Sequence, residues 1–476
     1  MTAHVASQQI AVPRPGIGVE GPRAVRRLSD TGFGAARTPL SPRGPDAKAA
    51  SPGHAGIVLR TLTERRPRII DAVSRVPREV PSPVRLVRVD LDAERIDPVP
   101  GVTPGAPLWM EVSRVGQVVG VVESVMGPGG IPETSLDYLR EVYSTNAVAD
   151  LRAVADDSLP PITVVIPTVY RRIEQLRRTV HSVASCDYPT FEIVVVDNRA
   201  NPGEPIPPFA ELTRVTVIAE RTPGISAARN AGVRAAEHAV VAFTDDDVEV
   251  DRDWLRAIGV AFAADPAVGV IGGMVRPKEI DTQAQLWFEE YLGGFTKSFE
   301  YCRWSRELVG ATDPLFPYSA GHFGSGNNIA MRRTVFDEIG GFDESLGVGT
   351  PAMSAEDHKM FVDALLAGST VAYVPSALVR HSHRRTEKEF LAQIFGYSVG
   401  LTALYAALIV QDRRHLWEIA RRVPLGVKMF FFSPEGRRRG TRTTYPGVTN
   451  VVLVAGMLYG PLAYARSKLS RRQTQP

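Results

Sequence analysis

Three consecutive aspartates, Asp245, Asp246 and Asp247, directly follow an apolar run at residues 240–243. That run has the length and β-branching of a buried strand, so the carboxylates stand at a strand end. Carboxylates this close together raise one another's pKa unless a positive group lies among them. A solvated acidic turn is the alternative, but such a turn usually carries Gly, Asn or Pro. We therefore predict a metal site.

The chemistry of that site follows from its oxygen ligands. Carboxylates suit hard divalent cations such as Mg²⁺ or Mn²⁺. Such cations are usually held by one or two carboxylates together with substrate phosphates, and not by an all-protein cage. The predicted positive partner of the three aspartates is therefore a divalent metal with a bound diphosphate.

The elements that would position these carboxylates alternate between strands and helices. Apolar runs predict strands at residues 162–167, 191–197, 215–220 and 240–245, and amphipathic segments predict helices at 171–185 and 225–237. This alternation predicts an α/β domain with a mostly parallel central sheet. Ligands of such sheets bind at the carboxyl ends of the strands. Pro167, Asp197 and the three aspartates all stand at such ends.

The bulk composition excludes some classes of protein. The 476 residues are 44% hydrophobic and 22% charged, an ordinary globular composition. The net charge of +3 does not indicate a nucleic-acid-binding polycation. Cys186 and Cys302 fit no zinc spacing and suit a reducing compartment. The N-terminus has no basic stretch followed by an apolar run, so we predict no signal peptide and a cytoplasmic location.

Seven motifs in one order resemble the family 2 glycosyltransferases, over about residues 160–400. They are VVIPTVYRR (164–172), IVVVDN (193–198), GISAARNAGV (224–233), FTDDDVEV (243–250), GSGNNIAMRR (324–333), GGFDESLG (340–347) and AEDHKMF (355–361). The resemblance implies a GT-A fold. It also implies an enzyme that moves a sugar from a nucleoside-diphosphate sugar to an acceptor hydroxyl, usually with inversion.

The resemblance further implies a set of donor-binding residues. The set comprises Pro167, Thr168, Asp197, Arg229, Asn230, Asp245 and Asp246. Asp197 would accept a hydrogen bond from the base, with a helix-capping or turn aspartate as the alternative. Arg229 would face the nucleotide phosphates, which suit a planar guanidinium, with a solvated helix arginine as the alternative.

The GSGNN segment is implied to line the site of the donor sugar and the acceptor. Its residues there are Gly326, Asn327 and Asn328, and its glycines allow close approach of the backbone to a ligand. An ordinary loop that enters a strand is the alternative.

Metal ligands are implied at both ends of the DXD pattern and at a later histidine. Asp245 and Asp247 bracket the pattern, and Asp246 would serve either the metal or the nucleotide. His381 matches the family's histidine better than His383 does. We expect His381 and His383 to point to opposite faces, so that only one of them is a ligand. A lone surface histidine is the alternative.

The catalytic base is implied to be a carboxylate of the motif SAEDHKMF. We favour Asp357 over Glu356. A carboxylate at a helix N-terminus is held ionised by the helix dipole, which suits a base. The alternative is a capping box formed by Ser354 and Asp357.

Four segments are predicted along the chain. They are a disordered segment at 1–56, a small β-rich accessory domain at 57–157, the GT-A domain at 158–400 and a helical, basic region at 401–476. The first is rich in Pro, Gly, Ala, Ser and Arg and lacks apolar periodicity, so it cannot bury enough surface to offset its ordering entropy.

The last segment contains an uncharged run at residues 443–465 that is long enough to span a membrane. Prolines and glycines within it weaken a straight helix, and an in-plane or buried helix fits equally well. We predict association with the inner face of the cell membrane and no binding to nucleic acid. A lipid-linked or cell-envelope glycan acceptor would agree with that location.

Other classes of protein fit less well. A Rossmann oxidoreductase would need GxGxxG after the first strand, where this chain reads IPTVYRRI. A nucleotidyltransferase would need a glycine-rich phosphate loop at the same place. A degenerate sugar-binding module stays open as a non-enzymatic alternative.

Overall fold

The computed structural model describes residues 83–474 except 100, 132–133, 202–208, 210–211, 292, 310–313, 320 and 429–445. The segment 1–56, predicted to be disordered, lies outside the described residues.

A sheet of four strands opens the described chain. Its strands are β1 (Arg85–Asp90), β2 (Arg95–Ile96), β3 (Pro107–Arg114) and β4 (Gln117–Val125), in the order β2-β1-β3-β4. Helix α1 (Thr134–Tyr143) covers one face, where Leu139 packs among Val87, Leu108 and Met110. The alternation of apolar residues along these strands therefore buries one shared face.

The main sheet is built from strands that alternate with helices. Its first part comprises β5 (Ile162–Thr168), α2 (Ile173–Ala184), β6 (Phe191–Asp197), β7 (Val215–Ala219), α3 (Ile225–Ala235) and β8 (Val240–Phe243). The middle comprises β9 (Val248–Val250), α4 (Trp254–Ala264), β10 (Val268–Pro277), α5 (Gln283–Tyr291), β11 (Cys302–Trp304) and α6 (Arg306–Val309). The last part comprises β12 (Ile329–Arg332), α7 (Arg333–Ile339), α8 (Glu356–Leu366) and β13 (Thr370–His381).

The strand order of the main sheet is β11-β13-β10-β12-β8-β5-β6-β7, and β9 pairs with β13. The strands β8, β5, β6 and β7 are parallel neighbours, as are β10 and β13. Strand β12 is antiparallel to both of its neighbours, so the sheet is mixed beyond β8. The predicted α/β fold class, with a β-rich part before the main sheet and a helical region after it, is confirmed.

The continuous apolar runs of the central strands have a simple structural reason. Val164 and Ile166 of β5 face one core cluster, and Val165 faces the cluster on the other side of the sheet. A strand covered on both faces needs apolar residues at every position. The polar residues that follow each strand are therefore placed at the edge of the sheet.

A buried ion-pair cluster joins the two sheets. Glu111 of β3 accepts from Arg276 Nε of β10 at 3.1 Å and also pairs with Arg380 of β13. Burial alone would raise the pKa of Glu111, but the two arginines outweigh it and lower that pKa to about 2. The four-stranded sheet is thus fastened to the strand that ends at His381.

In the C-terminal region the described residues form four helices. They are α9 (Glu387–Gln411), α10 (Arg414–Ala420), α11 (Val423–Val427) and α12 (Thr449–Thr474). Helix α9 begins at a capping box, in which Thr386 and Glu389 each accept from the other's backbone N–H.

One helix of the described residues is long and apolar enough to cross a membrane, and it is α9. Within its most apolar window 44% of the residues are buried inside the protein. The predicted run 443–465 lies largely in α12, which does not meet the same criterion, and residues 443–445 lie outside the described part.

Candidate active site

The ends of β5 and β8 are joined by a side-chain hydrogen bond. The Thr168 hydroxyl donates to Asp246 Oδ2 at 2.6 Å and accepts from the Tyr170 N–H at 2.9 Å. The neighbouring strand is joined to the same edge, since the Asn198 N–H donates to the Thr168 carbonyl at 2.8 Å. Because β5 lies between β6 and β8, the residues predicted at three strand ends do come together.

Two arginines outside the predicted set hold Asp197 at the end of β6. Arg199 donates from Nε at 2.8 Å and from Nη2 at 3.0 Å, and Arg221 Nη1 donates at 3.1 Å. Burial would raise the pKa of Asp197, but these hydrogen bonds outweigh it and lower that pKa. Both carboxylate oxygens are therefore engaged by cations in this structure, which makes Arg199 and Arg221 part of the site.

The three adjacent aspartates turn toward three different partners. Asp245 accepts from Arg229 Nη2 at 3.1 Å, Asp246 accepts from Thr168, and Asp247 contacts His381. Burial, with smaller contributions from the neighbouring carboxylates, raises the pKa of Asp246 to about 6. Burial is outweighed at Asp247, whose pKa lies well below its ordinary value because His381 and two arginines surround it.

Asp247 and His381 form the centre of the candidate metal site. His381 Nε2 lies 3.2 Å from Asp247 Oδ1, while Arg172 binds the other carboxylate oxygen. His381 is 6% exposed, which rules out the alternative of a lone surface histidine. Arg384 Nη1 lies 3.7 Å from the same Asp247 oxygen as Arg172.

His383 supports His381 instead of pointing away from it. The two Nδ1 atoms lie 3.2 Å apart, and His383 Nε2 lies 2.8 Å from Glu289 Oε1. The expectation that the two histidines point to opposite faces is wrong. Successive residues of an extended chain alternate between faces, so residues 381 and 383, two apart, point to the same side.

The donor atoms of Asp247 and His381 fit a divalent cation. Two neighbouring ligands of one Mg²⁺ or Mn²⁺ ion, each about 2.1 Å from it, lie about 3 Å apart. That matches the 3.2 Å separation of Oδ1 and Nε2. The described residues contain no cluster of three or more His, Cys, Asp or Glu side chains arranged to hold a metal. A cation here would take its remaining ligands from phosphate or water, as Mg²⁺ commonly does.

Arg229 of α3 connects the aspartates to the implied catalytic base. It is 1% exposed, so the alternative of a solvated helix arginine is ruled out. Besides its bond to Asp245, it donates from Nη1 to Glu356 Oε1 at 2.8 Å and from Nη2 to the Gly326 carbonyl at 2.8 Å. Its Nε is buried without a hydrogen-bond partner among the described residues.

The three residues of the GSGNN segment have different surroundings. The Gly326 N–H donates to Asp357 Oδ2 at 2.7 Å, and a Cβ atom at residue 326 would lie within 3.1 Å of that oxygen. Asn327 Oδ1 is buried and has no hydrogen-bond partner in the described part of the chain. The side-chain amide of Asn328 donates hydrogen bonds to the Met274 and Ala377 carbonyls, so it links β10 to β13 in the core.

Asn230 also has a structural role in this geometry. Its Nδ2 donates to the Phe342 carbonyl at 3.0 Å, and its Oδ1 accepts from the Phe342 N–H at 3.0 Å. The side chain therefore anchors the GGFD loop to α3.

The implied base pair lies at the first turn of α8. Each oxygen of Asp357 accepts one backbone N–H, from His358 and from Gly326, both at 2.7 Å. Glu356 is 6% exposed and faces Arg229. The predicted alternative, a capping box, is not formed, because Ser354 donates to the Gly396 carbonyl of α9.

The loop before α8 is held in an unusual backbone conformation. Met353 and Ala355 have φ angles of 66° and 74°, which non-glycine residues seldom adopt. Such residues are kept in place by surrounding structure and cluster at functional sites. Here the contact of Ser354 with α9 supplies part of that support.

The two acidic side chains of α8 differ in pKa. Burial, helped by the negative Asp357, raises the pKa of Glu356 to about 7 despite Arg229. At Asp357 burial is outweighed by His358, Arg229 and the two N–H groups, which lower its pKa. Asp357 is therefore the ionised member of the pair.

Several residues of the site were not in the predicted set. Arg172, Arg199, Arg221, His383 and Lys297 are the cationic or titratable ones. Burial lowers the pKa of Lys297 to about 8, although Asp357 and Glu289 oppose that shift. Arg172 stands within the motif VVIPTVYRR, which is a signal that could have identified it. The partners of the others depend on the fold.

Comparisons with known proteins agree with these motifs. The family described as Glycosyl transferase family 2 matches residues 163–340. A pre-mycofactocin glycosyltransferase of Mycobacterium tuberculosis is 29% identical over 257 residues, which cover 54% of this chain and 50% of that protein. The glucosyl-dolichyl phosphate glucuronosyltransferase of Haloferax volcanii is 27% identical over 48% of this chain and 72% of its own length.

A further relative is the O-antigen chain rhamnosyltransferase RfbN of Salmonella typhimurium, 25% identical over 50% of this chain and 71% of its own length. Among solved structures, a mannosyltransferase of Pyrobaculum calidifontis in complex with GDP-Man and Mn²⁺ is 18% identical. It covers 68% of this chain and 94% of its own, with a TM-score of 0.41.

The chain spans about half the length of the mycobacterial relative that it matches. The region that matches the family contains β5 to α7, and with them the strand ends, the three aspartates, Arg229 and the GSGNN segment. Residues 163–340 of this chain are similar to glycosyl transferase family 2.

Proposed function

We propose that this protein transfers a sugar from a nucleoside-diphosphate sugar to an acceptor hydroxyl, with inversion at the anomeric carbon and with a divalent metal. One observation carries the proposal. Arg229 bonds to Asp245 at the predicted diphosphate site and to Glu356 beside the implied base, so one buried guanidinium joins the two halves of the reaction.

The nucleoside would lie at the ends of β5 and β6. Thr168 and Pro167 end β5, and Asp197 ends β6 beside Arg199 and Arg221. The arginines would attract the diphosphate, since guanidinium groups bind phosphate oxygens in bidentate fashion. Asp197 would then exchange one of its arginine contacts for the base of the donor.

The metal would be held by Asp247 and His381, with Asp245 beside them. A bound Mg²⁺ or Mn²⁺ neutralises the negative charge that develops on the departing diphosphate. The protein contributes the positions of these ligands, which Arg172 and His383 hold from the outer side. It also contributes a buried guanidinium whose charge acts in a site shielded from water.

Asp357 is proposed as the general base. It is ionised, it is half-buried and not sealed in the core, and its two backbone hydrogen bonds fix its orientation. It would take the proton of the acceptor hydroxyl while that oxygen bonds to the anomeric carbon and the bond from that carbon to the diphosphate breaks. Glu356 would stay on Arg229, and no covalent nucleophile is required.

The acceptor is proposed to be a cell-envelope or lipid-linked glycan, reached at the inner face of the membrane. The basic C-terminal region supports this location. The names of two relatives agree with it, since one acts on a glucosyl-dolichyl phosphate and another on an O-antigen chain.

A donor screen tests the proposal. The full-length protein is incubated with a panel of nucleotide sugars, and release of nucleoside diphosphate is measured with Mn²⁺, with Mg²⁺ and with excess chelator. We expect release from at least one donor, dependent on the metal. Donor binding by calorimetry without any turnover would instead support the sugar-binding module and contradict the enzyme.

A further inference from the structure

One face of helix α12 is apolar and exposed. Its side chains are Val451, Val454, Leu458, Leu462 and Leu469, exposed by 66%, 44%, 79%, 56% and 60%. Their spacing of three, four, four and seven residues places them on one side of the helix. At 1.5 Å per residue this apolar face is about 27 Å long. Scattered exposed leucines are normal, but five large apolar side chains on one side of a helix, interrupted there by Arg466, indicate a partner.

The opposite side of α12 is locked against α9, so the apolar face cannot turn inward. A Cβ atom at Gly456 would lie 2.0 Å from Ser398 Oγ, and one at Gly460 would lie 2.0 Å from Thr402 Oγ1. Thr402 also donates to the Met457 carbonyl at 2.8 Å. Small residues let the two helices approach closely, and any rotation of α12 would lose this contact.

Helix α9 connects α12 to the loop that carries the proposed base. A Cβ atom at Gly400 would lie 2.0 Å from Ser354 Oγ, and Ser354 donates to the Gly396 carbonyl at 3.0 Å. Asp357 follows three residues after Ser354. Tyr464 of α12 also packs directly with Leu346 and Ala352 of the segment before α8. Helix axes in contact are about 8–10 Å apart, so α12 is the one helix between its own outer face and that segment.

Charge argues for an anionic lipid surface as the partner. Residues 412–476 contain thirteen Lys and Arg and three Asp and Glu, a surplus of ten positive charges. On helix α10, Trp417 is 73% exposed, and the sequence places Arg413, Arg414 and Arg421 close to it. Arg414 pairs with Asp412, and Arg421 pairs with Glu418. Exposed tryptophan, apolar stripe and basic residues together are typical of helices that lie in the membrane interface.

A spanning arrangement fits these contacts less well. Helix α9 is the one described helix with the length and hydropathy to cross, but it is packed between α12 and the loop of Ser354. Phe390 and Ile394 near its start are buried in a cluster with Trp287 and Leu453. Moving α9 into a bilayer would expose that cluster and break its contacts.

We propose that the apolar face of α12 is an in-plane docking surface for an anionic lipid bilayer. Lipid binding itself is independent of the proposed glycosyl transfer, but its purpose rests on it. A protein lying on this face would hold the base loop one helix away from the headgroups, where a lipid-linked acceptor would be within reach.

The test is co-sedimentation of the full-length protein with vesicles at low salt. Vesicles of equimolar phosphatidylcholine and phosphatidylglycerol are compared with vesicles of phosphatidylcholine alone. The protein should bind the first and not the second. Leu458→Glu with Leu462→Glu should weaken binding by at least about tenfold, because two apolar contacts are replaced by charges that the bilayer repels. The matched control is Val115→Glu, at a residue that is 61% exposed in the β3–β4 turn.

Three results would overturn the proposal. They are a wild-type protein that stays in the supernatant with the anionic vesicles, a double variant that binds as well as the wild type, and a double variant that only converts a dimer into a monomer. The last result would show that the apolar face of α12 is an interface between two copies of this chain. Circular dichroism melting confirms that the variants fold.

Nucleoside-diphosphate release in the absence of vesicles should be the same in the double variant and the wild type. If lipid binding follows the expected pattern while no donor is ever turned over, the proposed function fails and the docking surface stands.

Discussion

Arg229 Nη1 lies 2.8 Å from Glu356 Oε1, a contact between residues 127 positions apart in the chain. This contact decides how the two neighbouring carboxyl groups of α8 share their roles. It occupies Glu356 in the core and leaves Asp357 to the two backbone N–H groups. Two adjacent acids with separated pKa values are what an acid–base site requires.

Removal of the base is the most direct test of that division. Asp357→Asn keeps the shape of the side chain but cannot take up the acceptor proton, so kcat should fall by at least about 10²-fold while donor binding persists. Steady-state transfer rates and calorimetric donor affinity measure the two effects. Asp337→Asn, at an exposed residue of α7, is the control. If Glu356→Gln is inactive while Asp357→Asn keeps its transfer activity, the general base is Glu356 and not Asp357.

Metal affinity should depend on His383 although it is not an expected ligand. His383 holds His381 through their Nδ1 atoms and is itself held by Glu289. Loss of a group that orients a ligand typically lowers metal affinity by about 10–100-fold. His383→Phe should therefore weaken Mn²⁺ binding, measured by electron paramagnetic resonance on the protein without donor. If His383→Phe binds Mn²⁺ as tightly as the wild type while His381→Gln loses Mn²⁺ affinity, His381 is a ligand and His383 does not support it.

Stability should fall between about pH 4.5 and pH 7 because of Glu356. Its folded-state pKa of about 7 lies above its ordinary value of 4.5, so the folded state holds a proton that the unfolded state releases over this range. The free energy of unfolding should then decrease as pH rises, by at most about 1.4 kcal/mol per pH unit for one proton. Urea unfolding at several pH values measures the slope. Glu356→Gln should flatten it, and an identical slope in that variant would contradict the assignment.

Breaking the buried ion-pair cluster between the two sheets should lower the free energy of unfolding. Glu111→Gln would leave Arg276, which is 2% exposed, without its charged partner. Breaking one side of a buried ion pair costs about 3–5 kcal/mol. Asp97→Asn removes an exposed pair with Arg95 and should cost less than about 1 kcal/mol. Chemical denaturation measures the free energy of unfolding of both variants. Equal losses would show that the buried cluster stabilises the protein no more than the exposed ion pair does.

The residues at the strand ends could be predicted from the sequence alone. The runs at the centres of β5, β6 and β8 are apolar because both faces of the sheet are covered, and that burial leaves a local signature. Thr168, Asp197 and the three aspartates follow such runs directly, so their place at one edge needs no knowledge of the rest of the fold. The order of the motifs then indicated the family that matches residues 163–340.

The partners of those residues were decided by the tertiary structure. Arg172 meets Asp247 across 75 residues, and Arg229 meets Glu356 across 127. The first contact depends on the pairing of β5 with β8, and the second on where the fold places α8 relative to α3. The same holds for His383, whose partner Glu289 lies 94 residues away in the chain. Asn328 looked like a ligand-binding residue but lies in the core, because β10 and β13 each offer it a carbonyl.

The C-terminal region shows the same division between local and distant information. The uncharged run at 443–465 was visible in the sequence, but its composition could not tell a spanning helix from one packed on the protein. Gly456 and Gly460 face α9, whereas Leu458 and Leu462 face outward. Hydropathy averages over a helix, while contact with a neighbouring helix separates its faces, and only the folded chain contains that neighbour.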